Sequence, residues 1–206
     1  MGRQVLLEDP HNLIITGVGG QGNVMASRIL GSMMSLRGLC VTIGEAFGAS
    51  QRGGSVMSHL RISSETSWSP QIPKGKGHMI VGLEPVEAIR VLLEYGNPCT
   101  KVLCNSRPIH PIGVIAGELS YPSLENLRII LEELAESVWI VDATDAAVTL
   151  GDPILGNIVM IGALAKFGRL PVCRNDFEAV ISEILPADRI EANLKAFDRG
   201  MDLAKI

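Results

Sequence analysis

The chain has 206 residues, 47% hydrophobic and 19% charged, with a net charge of −4. That is enough for one sizeable core and too little charge for a disordered chain, so a single domain over 1–206 is expected. No basic run supports binding to nucleic acid, and no apolar run reaches the roughly 18 residues needed to span a membrane. Glu8-Asp9 falls where a signal peptide would carry its apolar core, so the chain reads as cytoplasmic.

Leu13 to Thr16 reads as a buried strand, followed by GVGGQG, Gly17 to Gly22. From Asn23 to Leu36 apolar residues recur every three or four positions, which is helical spacing, and Gly38 closes the helix. Leu39 to Gly44 is a second strand, so the three elements make a strand–helix–strand unit. Ala46 to Ser55 reads as a loop, Val56 to Ile62 as a strand, and Ser63 to Gly77 as a long, mobile connection. His78 to Leu83 is strand-like, and Glu84-Pro85 opens a helix. Lys101 to Cys104 is a strand, Ser123 to Glu136 a helix, and Val138 to Val141 a short strand. The remainder is helical, broken at Gly151-Asp152-Pro153, Gly168 to Pro171 and Pro186. Strands alternating with helices predict an α/β fold, a three-layer Rossmann-like domain with a largely parallel sheet.

Glycines 17, 19 and 22 spell G-x-G-x-x-G between a strand and a helix, and Glu45 lies about 20 residues further on. This context suits a dinucleotide whose phosphates face the helix N-terminus and whose ribose meets the acid. Asn23-Val24 stand where a P-loop requires Lys and Ser/Thr, which argues against an NTPase. Glycines that only let helix and strand pack closely are the plainer alternative. A second loop, Ser50-Gln51-Arg52-Gly53-Gly54, holds an arginine between small residues, a fork suited to a carboxylate or phosphate, or to a neighbouring acid or helix end.

His11, His59, His78 and His110 are scattered, with His59 and His78 on strand-like runs where histidines are usually core residues. Cys40, Cys99, Cys104 and Cys173 include no C-x-x-C pair and read as reduced thiols, not metal ligands. No catalytic residue is identified.

GVGGQG, SQRGG and SHLRIS (Ser58 to Ser63), in that order, resemble the gamma-type subunit of the 2-oxoacid:ferredoxin oxidoreductases, within it the small (beta) subunits of the indolepyruvate enzymes. The likeness continues through a strand ending in Arg61, IVGLEPVEAIR, Asp142-Ala143-Thr144 with Gly151, GNIVMIGAL from Gly156, and Asn193, Ala196-Phe197 and Gly200. It implies a Rossmann-like accessory subunit, inactive alone. The implied partner is a large (alpha) subunit carrying thiamine diphosphate and 4Fe–4S clusters. The complex would decarboxylate a 2-oxoacid, an aryl pyruvate such as indolepyruvate, pass electrons to ferredoxin and form an acyl-CoA. Gly151-Asp152 is followed by Pro153, with the next Asn already at 157, which departs from a thiamine diphosphate motif.

The two glycine loops are expected to form one anion-friendly surface at the strand ends, which in the complex would face the large subunit's active site and help seat coenzyme A or the substrate carboxylate. Its expected members are Gly17, Gly19, Gly20, Gln21, Gly22, Gln51, Arg52, Gly53 and Gly54. Asn157 is expected as an N-cap or else as a contact to the partner, and Asn157 to Leu164 and the C-terminal helix as candidate partner-facing apolar surface. A free-standing NAD(P)- or FAD-dependent reductase with Glu45 on the ribose, and a non-catalytic binding module, are the competing readings.

Overall fold

The computed structural model describes residues 6–48, 53–167 and 170–203. Gly17 and Val18 still belong to β1 (His11–Val18), buried along its whole length, and α1 (Asn23–Leu36) follows the glycine turn. β2 (Cys40–Phe47) and β3 (Ser55–Ser63) form a hairpin, and β4 (Met79–Gly82) leads into α2 (Pro85–Tyr95). β5 (Lys101–Asn105) is followed by the single turn α3 (Ile112–Ile115) and by α4 (Leu124–Leu134). β6 (Ser137–Val141), α5 (Ala143–Thr149), α6 (Gly156–Lys166), α7 (Arg174–Ile184) and α8 (Ala187–Leu203) complete the order.

The six strands form one sheet in the order β2-β3-β1-β4-β5-β6. β1, β4, β5 and β6 pair in parallel, while β3 is antiparallel to both β1 and β2. The sheet is therefore largely parallel in direction, with β3 alone reversed. The strand–helix–strand unit survives with one change: β2 runs the same way as β1, but the hairpin inserts β3 between them. Its loop is shorter than its small-residue composition suggests, because β2 continues to Phe47 and β3 starts at Ser55.

Alternation along the strands divides the core into two layers. Leu13, Ile15, Leu60 and Val81 face α1, α5, α6, α7 and α8; Ile14, Ile80 and Val102 face α2 and α4. The connection over 64–77, expected to be mobile, is pinned to the second face. Ile72 is fully buried and its N–H donates to His59 Nδ1 at 3.2 Å. Asn97 Nδ2 donates to Gly75 O and Gly77 O at 3.1 and 3.0 Å. One apolar anchor among polar residues leaves too weak a periodic signal to announce this.

α6 is apolar around its circumference and buried from Asn157 to Leu164, as such a helix must be. It lies against α8, and this contact corrects the expectation that Asn157 to Leu164 faces a partner. A Cβ on Gly162 would sit 2.8 Å from Phe197 C, and one on Gly200 would sit 2.8 Å from Ala163 N. The two glycines let the helix backbones touch.

Candidate functional site at the strand ends

The helix after β1 packs on one face of the sheet and the helix after β4 on the other. The carboxyl ends of β1 and β4 are thus a topological switch point, where open α/β sheets form ligand crevices. A crevice of about 380 Å³ lies there, lined by Gly20, Gln21, Asn105, Arg107, Thr144 and Asn157 among others.

Gln21 bridges the switch point. Its Oε1 accepts from Val18 N at 2.7 Å and its Nε2 donates to Leu83 O at 2.8 Å, joining the end of β1 to the end of β4. Gly17 is required beside it, since a Cβ there would meet Gln21 Oε1 at 2.5 Å. Gly20 and Gly22 adopt φ of 108° and 81°, the left-handed region that favours glycine. A Cβ on Gly22 would also collide with the Asn157 amide. Asn157 lies inside the first turn of α6, after the cap residue Leu155, so it is not the expected N-cap. Its Nδ2 donates to Gly22 O at 3.2 Å and couples the glycine turn to α6.

The second glycine segment meets the first directly: Gly19 N donates to Gly54 O at 2.8 Å. Gly53 lines a neighbouring cleft. Gln51 and Arg52 lie outside the described residues. Arg61, by contrast, pairs across from Asn12 near the start of β1, far from the glycine turn. Its Nε donates to Asn12 Oδ1 at 3.1 Å and its guanidinium lies 4.9 Å from the Trp68 ring, so it is a core cation, not a site residue.

Two further residues shape the crevice. Buried Asn105 ends β5, and its Oδ1 accepts from Ala143 N and Thr144 N at 3.0 and 3.2 Å, capping α5 from another element. Its Nδ2 donates to Leu83 O and Thr144 Oγ1 at 3.1 and 2.9 Å. Arg107 brings a cation to the crevice lining, held loosely by Asp145 at 3.4 Å in an ion pair exposed enough to exchange for a ligand anion. Nothing in the local sequence marks Asn105, because its partners are brought to it by strand order.

The first turn of α6 reaches the crevice through Gly156 and Asn157, with Gly156 N already donating to Pro153 O. Glu45, the residue expected on a dinucleotide ribose, stands one strand further out. It pairs with Ser58 across β3 and its carboxylate is 3.5 Å from Arg28. His59 is a core residue as expected, its ring edge-on to Tyr95 at 4.9 Å, with burial lowering its pKa. Cys104 is wholly buried and its thiol is pushed far up by desolvation. Among the described residues no three His, Cys, Asp or Glu side chains are grouped to hold a metal ion. Asp152, the acid of the Gly-Asp pair, caps the short turn after it by accepting from Ile154 N at 3.0 Å. Neither the dispersed cysteines nor this aspartate fits an iron–sulfur cluster or a thiamine diphosphate site. No described helix is long and apolar enough to cross a membrane.

The family model for pyruvate ferredoxin/flavodoxin oxidoreductase matches residues 12–203. Indolepyruvate oxidoreductase subunit IorB of Pyrococcus horikoshii is 38% identical, over 95% of this chain and 96% of that protein. Among solved structures, pyruvate oxidoreductase subunit PORC from Thermotoga maritima superposes with a TM-score of 0.72 at 22% identity, covering 95% of this chain and 97% of that one. The 2-oxoglutarate:ferredoxin oxidoreductase from Magnetococcus marinus, solved with 2-oxoglutarate, coenzyme A and succinyl-CoA bound, has a TM-score of 0.72 at 21% identity. The match covers 96% of this chain and 31% of that one.

Proposed function

The chain belongs to the pyruvate ferredoxin/flavodoxin oxidoreductase family, and we propose that it is the accessory small subunit of an indolepyruvate-type 2-oxoacid:ferredoxin oxidoreductase. The observation that carries this is the end-to-end likeness, at 38% identity, to a subunit named for indolepyruvate. In the proposed reaction the complex takes a 2-oxoacid, coenzyme A and two oxidised ferredoxins, and yields an acyl-CoA, carbon dioxide, a proton and two reduced ferredoxins. Thiamine diphosphate and 4Fe–4S clusters are assigned to a large partner subunit. The assembly is assigned to the cytoplasm.

This chain's part is to supply one wall of the active site. The crevice at the ends of β1 and β4 would face the partner and hold an anionic group, the substrate carboxylate or a phosphate of coenzyme A. Gly20 and Gln21 would line it, with Gly17, Gly19 and Gly22 shaping their turn, and Gln51, Arg52, Gly53 and Gly54, a segment joined to that turn by the bond from Gly19 N to Gly54 O, are proposed to supply further ligands to the anion. Arg107 gives the positive charge that such a ligand needs.

A substrate panel tests the reading. The purified two-subunit complex is given indolepyruvate, phenylpyruvate, pyruvate and 2-oxoglutarate with coenzyme A, and viologen reduction is followed anaerobically. The highest kcat/KM is expected for the aryl pyruvates. A clear preference for pyruvate or 2-oxoglutarate would overturn the substrate assignment.

A further inference from the structure

Glu84 follows β4 and is only 1% exposed. Its carboxylate has more partners than a helix cap requires. Oε2 accepts from Glu87 N at 2.9 Å, the ordinary N-cap bond of α2. Oε1 accepts from Ile109 N at 3.4 Å and from the Tyr121 hydroxyl. Those last two donors stand near the two ends of one segment, the strap over 106–122. A small, half-exposed Ser or Asp would satisfy the cap without burying a carboxylate, which is unfavourable unless donors surround it. The extra burial is accounted for by the strap.

The strap has little else to fix it. α3 buries none of its residues, and Ile112, Ile115 and Leu119 are 84%, 74% and 65% exposed. At its start Ser106 Oγ donates to Asp142 Oδ1, an exposed contact. Yet the strap separates two clefts. Arg107 and Ile109 line the 380 Å³ crevice, and Ile109, His110 and Tyr121 line a second cleft of about 500 Å³ beside it.

We infer that Glu84 and Tyr121 are positioning residues for the crevice. By clasping the strap at Ile109 and Tyr121, they fix where Arg107 and Ile109 meet a bound anionic substrate. The inference rests on the crevice reading of the preceding subsection. Burial and the bond to Glu84 push the Tyr121 phenol well above its usual range, so it stays a donor through neutral pH. Its ring lies 5.0 Å from that of His110 and would remain there in a phenylalanine variant.

Tyr121→Phe removes the hydroxyl alone, and Glu84→Gln leaves one acceptor oxygen. In the isolated chain, amide exchange of the strap over 107–121 is expected to quicken roughly tenfold in Tyr121→Phe, the effect of losing a hydrogen bond to a charged acceptor, with α6 and α8 unchanged. In the complex, the same variant should raise the KM for coenzyme A or indolepyruvate several-fold at unchanged kcat, the mark of lost ground-state binding. Wild-type strap exchange would overturn the clasp. Faster strap exchange at unchanged KM would overturn the positioning role, as would a uniform rise across the sheet in both variants. If the wild-type complex itself fails to assemble or turn over, the accessory-subunit reading fails instead, while strap exchange in the isolated chain still tests the clasp.

Discussion

Replacing Gly200 with alanine tests whether the α6–α8 backbone contact sets the stability of the crevice scaffold. A methyl at 200 would lie 2.8 Å from both Ala163 N and Val159 C and closer still to the Val159 carbonyl oxygen. Carbon contacts are optimal at about 3.5–4.0 Å, so the helices must separate by roughly 1 Å, which forfeits up to half of the dispersion energy across the interface. The obstacle is backbone on both sides and cannot rotate away, which puts the strain at or above the usual upper limit of about 3 kcal/mol for overpacking. Alanine recovers about 1 kcal/mol of helix propensity. The net loss is roughly 2 kcal/mol, which lowers the Tm of a chain this long by about 4–8 °C. Gly156, at the start of the facing helix α6, is the control: its Cβ would meet nothing nearer than 3.7 Å, so Gly156→Ala should be neutral or stabilising. Urea and thermal unfolding of both variants read the contrast. Gly162→Ala presses on the same interface, so the double variant should cost less than the sum of the singles. A Gly200→Ala variant as stable as wild type would show that the α6–α8 backbones do not touch at this position.

Asn105→Ala leaves Ala143 N and Thr144 N without their acceptor and should cost about 2–3 kcal/mol, read by the same unfolding assays. His59 gives a pH test. Burial lowers its folded pKa below 6.5, so the unfolded chain binds the proton first. The stability from the neutral ring is complete above about pH 6.5 and is lost progressively as the pH falls from there through the lower folded pKa. Wild type should therefore lose stability faster than His59→Asn between pH 7 and pH 5, by at most about 1.4 kcal/mol per pH unit; identical slopes would contradict this. Arg52→Ala should raise the KM for coenzyme A or the oxoacid and leave subunit assembly intact, as measured by steady-state kinetics and gel filtration of the complex.

The elements that local periodicity governs were legible in the sequence. The Asn23–Leu36 helix follows from three- and four-residue spacing, and buried β1 from its apolar run. The insertion of β3 beside β1 was not legible, because pairing between strands depends on which faces find cover, not on the pattern within either strand. Its consequence reaches function: it moves Glu45 away from the glycine turn and weakens the dinucleotide reading that G-x-G-x-x-G invites. Of the candidate site, the glycines were visible but not their reasons. Gln21 reaches Leu83, Asn157 reaches Gly22 and Asn105 reaches α5 across gaps of 62, 135 and 38 positions, and sequence adjacency carries no trace of such contacts. Gly162 and Gly200 likewise look like ordinary helix-weakening glycines until the helices are crossed.

On the proposed function, this chain completes an active site that a larger subunit cannot form alone. The most direct measurement is anaerobic viologen reduction, dependent on indolepyruvate and coenzyme A, by the purified large subunit with and without added chain. Activity that is absent from either subunit alone and rises to a plateau at a fixed stoichiometry is the expected result. Full activity from the large subunit alone, or no change on adding the chain, would rule out the accessory-subunit role.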